Sequence, residues 1–375
     1  MPFQIIRSDI TKTAADAIVN TANPFPTIGA GTDSAIYQAA GKDLLLAERR
    51  KIGPITAGDA VYTPAFDLNA KYIIHTVGPV WIDGNHNERE ILHSCYAKSL
   101  NLAADLHCES IAFPLISSGT YGFPKDEALQ IALAEIGKFL LTHDMNVTLV
   151  VFDRKAVQIS KELMGDIDEY IDDHTVGYLR KKEYGNRSSW IDSRRRRARD
   201  FRPDMDDSMV LIDRIEPEDM MLSKESIPDT DYAPMPLASK PSQSAIGSSL
   251  FGHPGLEGYL KKKGETFQER LFKLIDERHM SDPEVYKKAN IDRKVFSKIR
   301  CNPNYHPKKK TAVAFAIALE LDMPAAQDLL SRAGLAISPS SDFDLIISYF
   351  IDKKIYDIFQ INAALFHYGQ ELLGF

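Results

Sequence analysis

Cysteine is scarce in this chain: Cys95, Cys108 and Cys301 stand apart in 375 residues, with no CxxC pair and no Cys/His spacing suited to zinc. A disulfide framework and a structural metal knuckle are thereby excluded, and no metal or other cofactor is expected. Long apolar runs are missing too. No stretch reaches the roughly 18 residues that would mark a membrane span, and the opening MPFQIIRSDI has neither the basic stretch nor the apolar core of an export signal. We therefore expect a cytoplasmic protein without membrane contact. Nor is positive charge in excess. The formal net charge is -7, so a nucleic-acid contact would have to come from a local basic patch rather than from the field of the whole molecule. What the chain does have is length and apolar content, 375 residues at 44% hydrophobic, enough for two domains plus connecting sequence.

Up to residue 173 short apolar runs alternate with longer helical periods, the pattern of strands joined by packed helices. The runs predict strands over 17–20, 59–63, 72–76, 110–115 and 147–152, and helices over 32–41, 87–107 and 124–143. From 174 to 264 the composition turns to charge, Ser and Pro, with the run Arg194, Arg195, Arg196 and Arg197. That tract reads as a largely disordered linker, although the arginine run could also touch an anionic partner. Past 265 only helical periods occur, over 267–277, 283–288, 293–299, 310–321, 325–333, 343–351 and 361–373, so residues 265–375 are expected to form an all-helical domain.

Two segments have the composition of anion cradles. In Asn20-Thr-Ala-Asn23-Pro-Phe-Pro-Thr-Ile-Gly29-Ala-Gly31-Thr-Asp33 a strand runs through a glycine-containing loop into a helix, where backbone N–H groups can point at a phosphate. In Phe113-Pro-Leu-Ile-Ser117-Ser118-Gly119-Thr120-Tyr121-Gly122-Phe-Pro124 a buried strand does the same. Two such loops at neighbouring strand ends could grip both phosphates of a diphosphate and leave room for a sugar at either end. The strand termini Ser8-Asp9-Ile10 and Val151-Phe152-Asp153 complete the set.

With the landmarks Asp16-Ala-Ile-Val-Asn20-Thr-Ala-Asn23, Tyr72-Ile-Ile-His75-Thr-Val-Gly78-Pro79 and Ile111-Ala-Phe-Pro-Leu-Ile-Ser-Ser-Gly119-Thr-Tyr121-Gly122, residues 1–172 resemble macrodomains, in particular the branch that hydrolyses ADP-ribose esters. The resemblance implies a three-layer α/β/α fold with a mixed central sheet, here residues 1–173, and ADP-ribose as ligand. It further implies that Asp9 accepts from the adenine amino group with help from the Ile10 backbone, and that Phe152 packs on the ring. Ser117, Ser118, Gly119, Thr120, Tyr121 and Gly122 would hold the diphosphate, with Gly29 and Gly31 on the other side. Asn23 would orient the proximal ribose and Asp33 the attacking water. Bland alternatives stand beside these: Asp9 as a turn or cap residue, Phe152 as core, Asp33 as a helix N-cap. His75, in an apolar strand, reads as a satisfied core histidine. Nothing fixes a role for Trp81 and His86. Where the resembled hydrolases carry an uninterrupted glycine string, this chain has Thr27-Ile28-Gly29-Ala30-Gly31-Thr32, a stiffer and bulkier loop.

Between 267 and 333 the short helices resemble the five-helix DNA-binding domain of phage-repressor-type regulators. Residues 283–288 would open a helix-turn-helix, and 293–300 would be its recognition helix, presenting Arg293, Lys294, Lys298 and Arg300, with Lys308, Lys309 and Lys310 as phosphate contacts. A protein-binding bundle is the alternative, and the last two helices could form a homodimer. The expected function is therefore hydrolysis of ADP-ribosyl esters on proteins or of O-acetyl-ADP-ribose. The alternative is a non-catalytic ADP-ribose sensor coupled to the helical domain.

Overall fold

The computed structural model describes residues 3–152, 157, 159–174 and 264–374. The expected linker, 174–264 with its arginine run, lies outside the described residues except at its two ends. Six strands form one sheet in the order β1-β6-β5-β2-β4-β3, made of β1 (Phe3–Arg7), β2 (Ala17–Thr21), β3 (Ala60–Pro64), β4 (Tyr72–Thr76), β5 (Ser110–Pro114) and β6 (Asn146–Val151). Every pairing is parallel except β3 with β4, so the sheet is mixed. Helices cover both faces, as buried parallel strands require. On one face α1 (Thr32–Ala40) and α2 (Lys42–Ile52) put Ile36, Tyr37, Ala40 and Leu45 against Ile18, Ile73 and Ala112. On the other, α3 (Glu88–Asp105) and α4 (Lys125–Thr142) put Leu92, Tyr96, Leu129 and Ile136 against Val19, Ile74, Phe113 and Val147. Successive residues of β2 thus serve opposite faces, the period-two alternation of a strand.

The helical segment begins at Thr266, whose side chain forms a reciprocal capping box with Glu269. Ser281, Asp292, Asp322 and Asp357 cap four of the later helices in the same side-chain-to-backbone way. These helices and the α/β layers belong to one compact unit, Met1–Tyr184 with Gly264–Phe375. The core explains why: Phe359 lies edge-on to Phe3 with ring centroids 5.4 Å apart. A Cβ on Gly137 would stand 3.1 Å from the Phe359 ring, so this mid-helix glycine in α4 is the notch that admits it. Helix 161–174 adds polar ties, Tyr368 Oη to Asp168 at 2.7 Å and Tyr170 Oη to Asp352 at 2.5 Å.

The sharpest of these contacts is at the sheet edge. β1 is an edge strand, and Asn290 closes it as another strand would, accepting from Phe3 N–H at 2.7 Å and donating to Phe3 C=O at 2.9 Å. Asn290 is buried at φ 53°, a left-handed conformation that asparagine tolerates. Replacing it by alanine leaves two buried main-chain groups unpaired, and Asn290→Ala is expected to cost the full chain about 2–4 kcal/mol. Urea unfolding checks this; an unchanged midpoint would show that the clamp carries no net stability.

Candidate functional site

The strand order reverses direction between β2 and β5, and in such sheets ligands bind beyond the carboxyl ends of the strands at that point. A cavity of about 370 Å³ lies there. Its walls are Asn23, Gly29, Gly31 and Asp33 from the β2–α1 loop and helix start, Ser117 to Tyr121 from the β5–α4 loop, and Phe152 at the end of β6. The two loops are therefore brought to one cavity, as their composition suggested. In the second loop the N–H groups of Ser117, Gly119, Thr120 and Tyr121 find no acceptor among the described residues, which leaves them free for an anion. Ser117 adopts φ 62° so that its carbonyl accepts from Phe123 N–H at 3.1 Å and the turn closes. Gly78 makes room for it. A Cβ there would collide with Ser117 Oγ and come within 2.8 Å of Ile116.

Asp33 stands in the first turn of α1, but it does not cap that helix; the N-cap is Gly31, which has no side chain to offer. Its carboxylate turns inward instead. Oδ2 accepts from Gly29 N–H at 2.5 Å, and Oδ1 accepts from Asn20 Nδ2 at 2.6 Å. Burial pushes its pKa up, and the Gly29 and Asn20 hydrogen bonds together with the nearby Arg49 guanidinium oppose that rise. Tyr121, across the cavity, is raised by its own burial and by the Asp33 charge. Asn23 is held by its Nδ2, which donates to Thr27 C=O at 3.2 Å. Gly29 touches both residues: a Cβ would sit 3.1 Å from Asp33 Oδ2 and 3.2 Å from Asn23 Nδ2.

Three of the expected ligand residues lie outside the cavity walls. Asp9 caps the short 3-10 turn Ile10–Lys12, accepting from Thr11 N–H at 3.0 Å and Thr11 Oγ1 at 2.7 Å through the same oxygen. Those two bonds hold its carboxyl below the usual range. Ile10 is buried beside Val150, and Gly122 donates its N–H back to Gly119 C=O at 3.0 Å. Phe152, by contrast, is 84% exposed at the rim, which disposes of its reading as a core residue. Sequence reasoning missed Lys125, the first residue of α4 and the only lysine in the cavity wall among the described residues. Its place directly after the second loop was the available signal.

His75 is fully buried with both ring nitrogens partnered, which agrees with its reading as a core histidine. Trp81 and His86 are not in the cavity wall. Trp81 N–H donates to Tyr121 C=O at 2.9 Å, so its loop braces the second cradle from behind. His86 belongs with Asp83 and Glu88 to a cluster whose buried member, Glu88, accepts N–H bonds from Ile82, Asp83, Gly84 and His86 and so serves to fold the loop.

On helix Arg293–Cys301 the side chains of Arg293, Lys294, Lys298 and Arg300 are exposed. Arg300 is tied to Asp282 at 2.5 Å and lies over the Phe272 ring. Lys309 is bound to buried Asp344 at 2.5 Å, so it serves the interior. No helix among the described residues is long and apolar enough to cross a membrane.

A family model for the Macro domain matches residues 19–132. A macro domain-containing protein of Listeria monocytogenes is 45% identical over 171 residues, which is 44% of this chain and 97% of that protein. An O-acetyl-ADP-ribose deacetylase of Citrobacter rodentium is 44% identical over 167 residues, 43% of this chain and 94% of its own length. Among solved structures, an Oceanobacillus iheyensis macrodomain with ADP is 36% identical, covers 40% of this chain and 84% of that one, and has a TM-score of 0.39.

Proposed function

We propose that this chain, which belongs to the macro domain family, holds ADP-ribose in the cavity beyond β2 and β5 and hydrolyses ADP-ribosyl esters there, on proteins or on O-acetyl-ADP-ribose. One observation carries the reading: two loops, one with four unpartnered N–H groups, face a common cavity in which a desolvated carboxylate is held at fixed geometry. The N–H groups and Lys125 suit a diphosphate, and Phe152 at the rim suits a purine ring. Asp33 orders and polarises the water while Asn23 fixes the ribose. Attack of that water at the anomeric carbon breaks the bond to the ester oxygen, so that the acid departs as carboxylate and ADP-ribose is left; the oxocarbenium-like charge that builds is stabilised by Asp33 and the diphosphate. The close relationship to a protein named O-acetyl-ADP-ribose deacetylase supports hydrolysis over binding alone. Incubation of the full chain with O-acetyl-ADP-ribose, followed by assay of free ADP-ribose, tests it. Binding without release would make the chain a sensor.

For the C-terminal helices the partner we propose is duplex DNA. Support comes from the exposed face of helix Arg293–Cys301, where Arg293, Lys294 and Lys298 form no ion pair within 4 Å among the described residues, with exposed Lys308 nearby in sequence. Affinity for random duplex DNA, measured by fluorescence anisotropy, is expected to fall steeply with salt and to drop further in Lys294→Glu. Absence of binding at low salt would point to a protein partner instead.

A further inference from the structure

Asn20 and His75 are register partners across β2 and β4, so their side chains leave neighbouring strands on the same face. Both are fully buried, as is Thr63 on β3. Asn20 Nδ2 spends one hydrogen on Asp33 Oδ1 at 2.6 Å and the other on His75 Nδ1 at 3.1 Å. His75 Nε2 lies 3.0 Å from Thr63 Oγ1. An amide nitrogen only donates, so His75 Nδ1 has to accept, and the ring must carry its proton on Nε2 and donate it to Thr63. Burial lowers the pKa of His75 to about 3, which keeps the ring neutral.

This arrangement fixes which way the Asn20 amide faces. Turned over, Asn20 would set its oxygen against the Asp33 carboxylate, and against the Nδ1 lone pair of the ring for as long as His75 keeps its proton on Nε2. We propose that His75 is a positioning residue for the hydrolytic site: through Asn20 it fixes the orientation of the Asp33 carboxylate that orders the attacking water. The inference rests on the reading of Asp33 given above. Neither His75 nor Asn20 lines the cavity, so their effect reaches substrate only through Asp33. The other groups that bear on Asp33 are Gly29 N–H from its loop, the buried Arg49 guanidinium from α2, Tyr37 from α1 and Tyr121 from across the cavity. Arg49 is the one cation among them, and removing the neutral His75 leaves its pull unchanged.

The full chain is tested as His75→Leu and His75→Asn, with Asp33→Ala beside them. His75→Leu is expected to lower kcat for O-acetyl-ADP-ribose by about tenfold to a hundredfold, the penalty of a misplaced catalytic group, and to move the acid limb of the kcat profile upward. Its ADP-ribose affinity stays within about twofold. His75→Asn, which returns an acceptor at the level of Nδ1, is expected to recover most of kcat. Equal kcat in His75→Leu and the parent, with Asp33→Ala inactive, overturns the relay alone; full activity in all three overturns the reading of Asp33 and the relay with it. A direct readout needs no variant. Nitrogen-15 shifts of His75 in the parent chain should report a neutral Nε2–H tautomer from pH 5 to 8, and an Nδ1–H tautomer would contradict the proposal.

Discussion

Asp33→Ala in the full chain is expected to bind ADP-ribose within about threefold of the parent and to release product from O-acetyl-ADP-ribose about a hundredfold more slowly or worse. The asymmetry follows from how the cavity is built. In the proposed reading the diphosphate is gripped by main-chain N–H groups of the second loop and by Lys125, none of which Asp33 touches. On the same reading Asp33 supplies a desolvated carboxylate beside the ribose, held by Gly29 and Asn20 at 2.5 and 2.6 Å. Its removal deletes water ordering and charge stabilisation, both of which matter more in the transition state than in the bound state. Parent-like turnover in this variant would leave the cavity as a binding site only.

The second large effect is on stability in acid. His75 has an ordinary pKa of 6.5, which it regains on unfolding, and about 3 when folded. Its contribution is therefore fully present above pH 6.5 and lost as pH falls toward 3, because only the unfolded chain takes up the proton in that window. The shift corresponds to something on the order of 4–5 kcal/mol. Asp33 works in the opposite sense, since its raised pKa lets the folded protein take up a proton first as pH falls. The comparison that isolates His75 is urea unfolding of the parent and His75→Asn at pH 7, 6, 5 and 4. The parent's advantage should shrink steadily with acid; a constant difference would mean that the ring is not held neutral.

Much of the architecture could be read from periodicity because β2, β4, β5 and β6 are short, apolar and buried on both faces. Tyr72–Thr76 was placed to the residue, and β2, β5 and β6 to within one. β1 was missed: five residues, FQIIR, carry too little pattern to separate an edge strand from a tail. α2 was missed for a different reason. Its inward positions are Leu45 and Arg49, and a buried arginine reads as polar in any hydrophobic count. The last helix ends at His367 rather than near 373, because Gly369 at φ 70° follows it and the remaining chain turns back so that Leu373 N–H meets Asn362 at 2.7 Å.

The site divides along the same line. Loop glycines, serines and the aspartate stood in contiguous motifs, so Asn23, Asp33, Gly29 and residues 117–121 were found together where expected. What holds Asp33 was out of reach, since the partnership of Asn20 with His75 spans 55 positions and exists only through strand register. The bond of Asn290 to Phe3 is out of reach in the same way, since it crosses 287 positions. Local pattern identifies the groups that line the cavity; the groups that hold them in place are set by tertiary pairing.

The central claim is that the two loops jointly hold ADP-ribose. Titration calorimetry of ADP-ribose into the full chain tests it most directly. Saturable binding of one ligand per chain, lost when Gly78→Val drives Ser117 out of its turn, is the predicted result. No heat at millimolar ADP-ribose with a folded protein would contradict it.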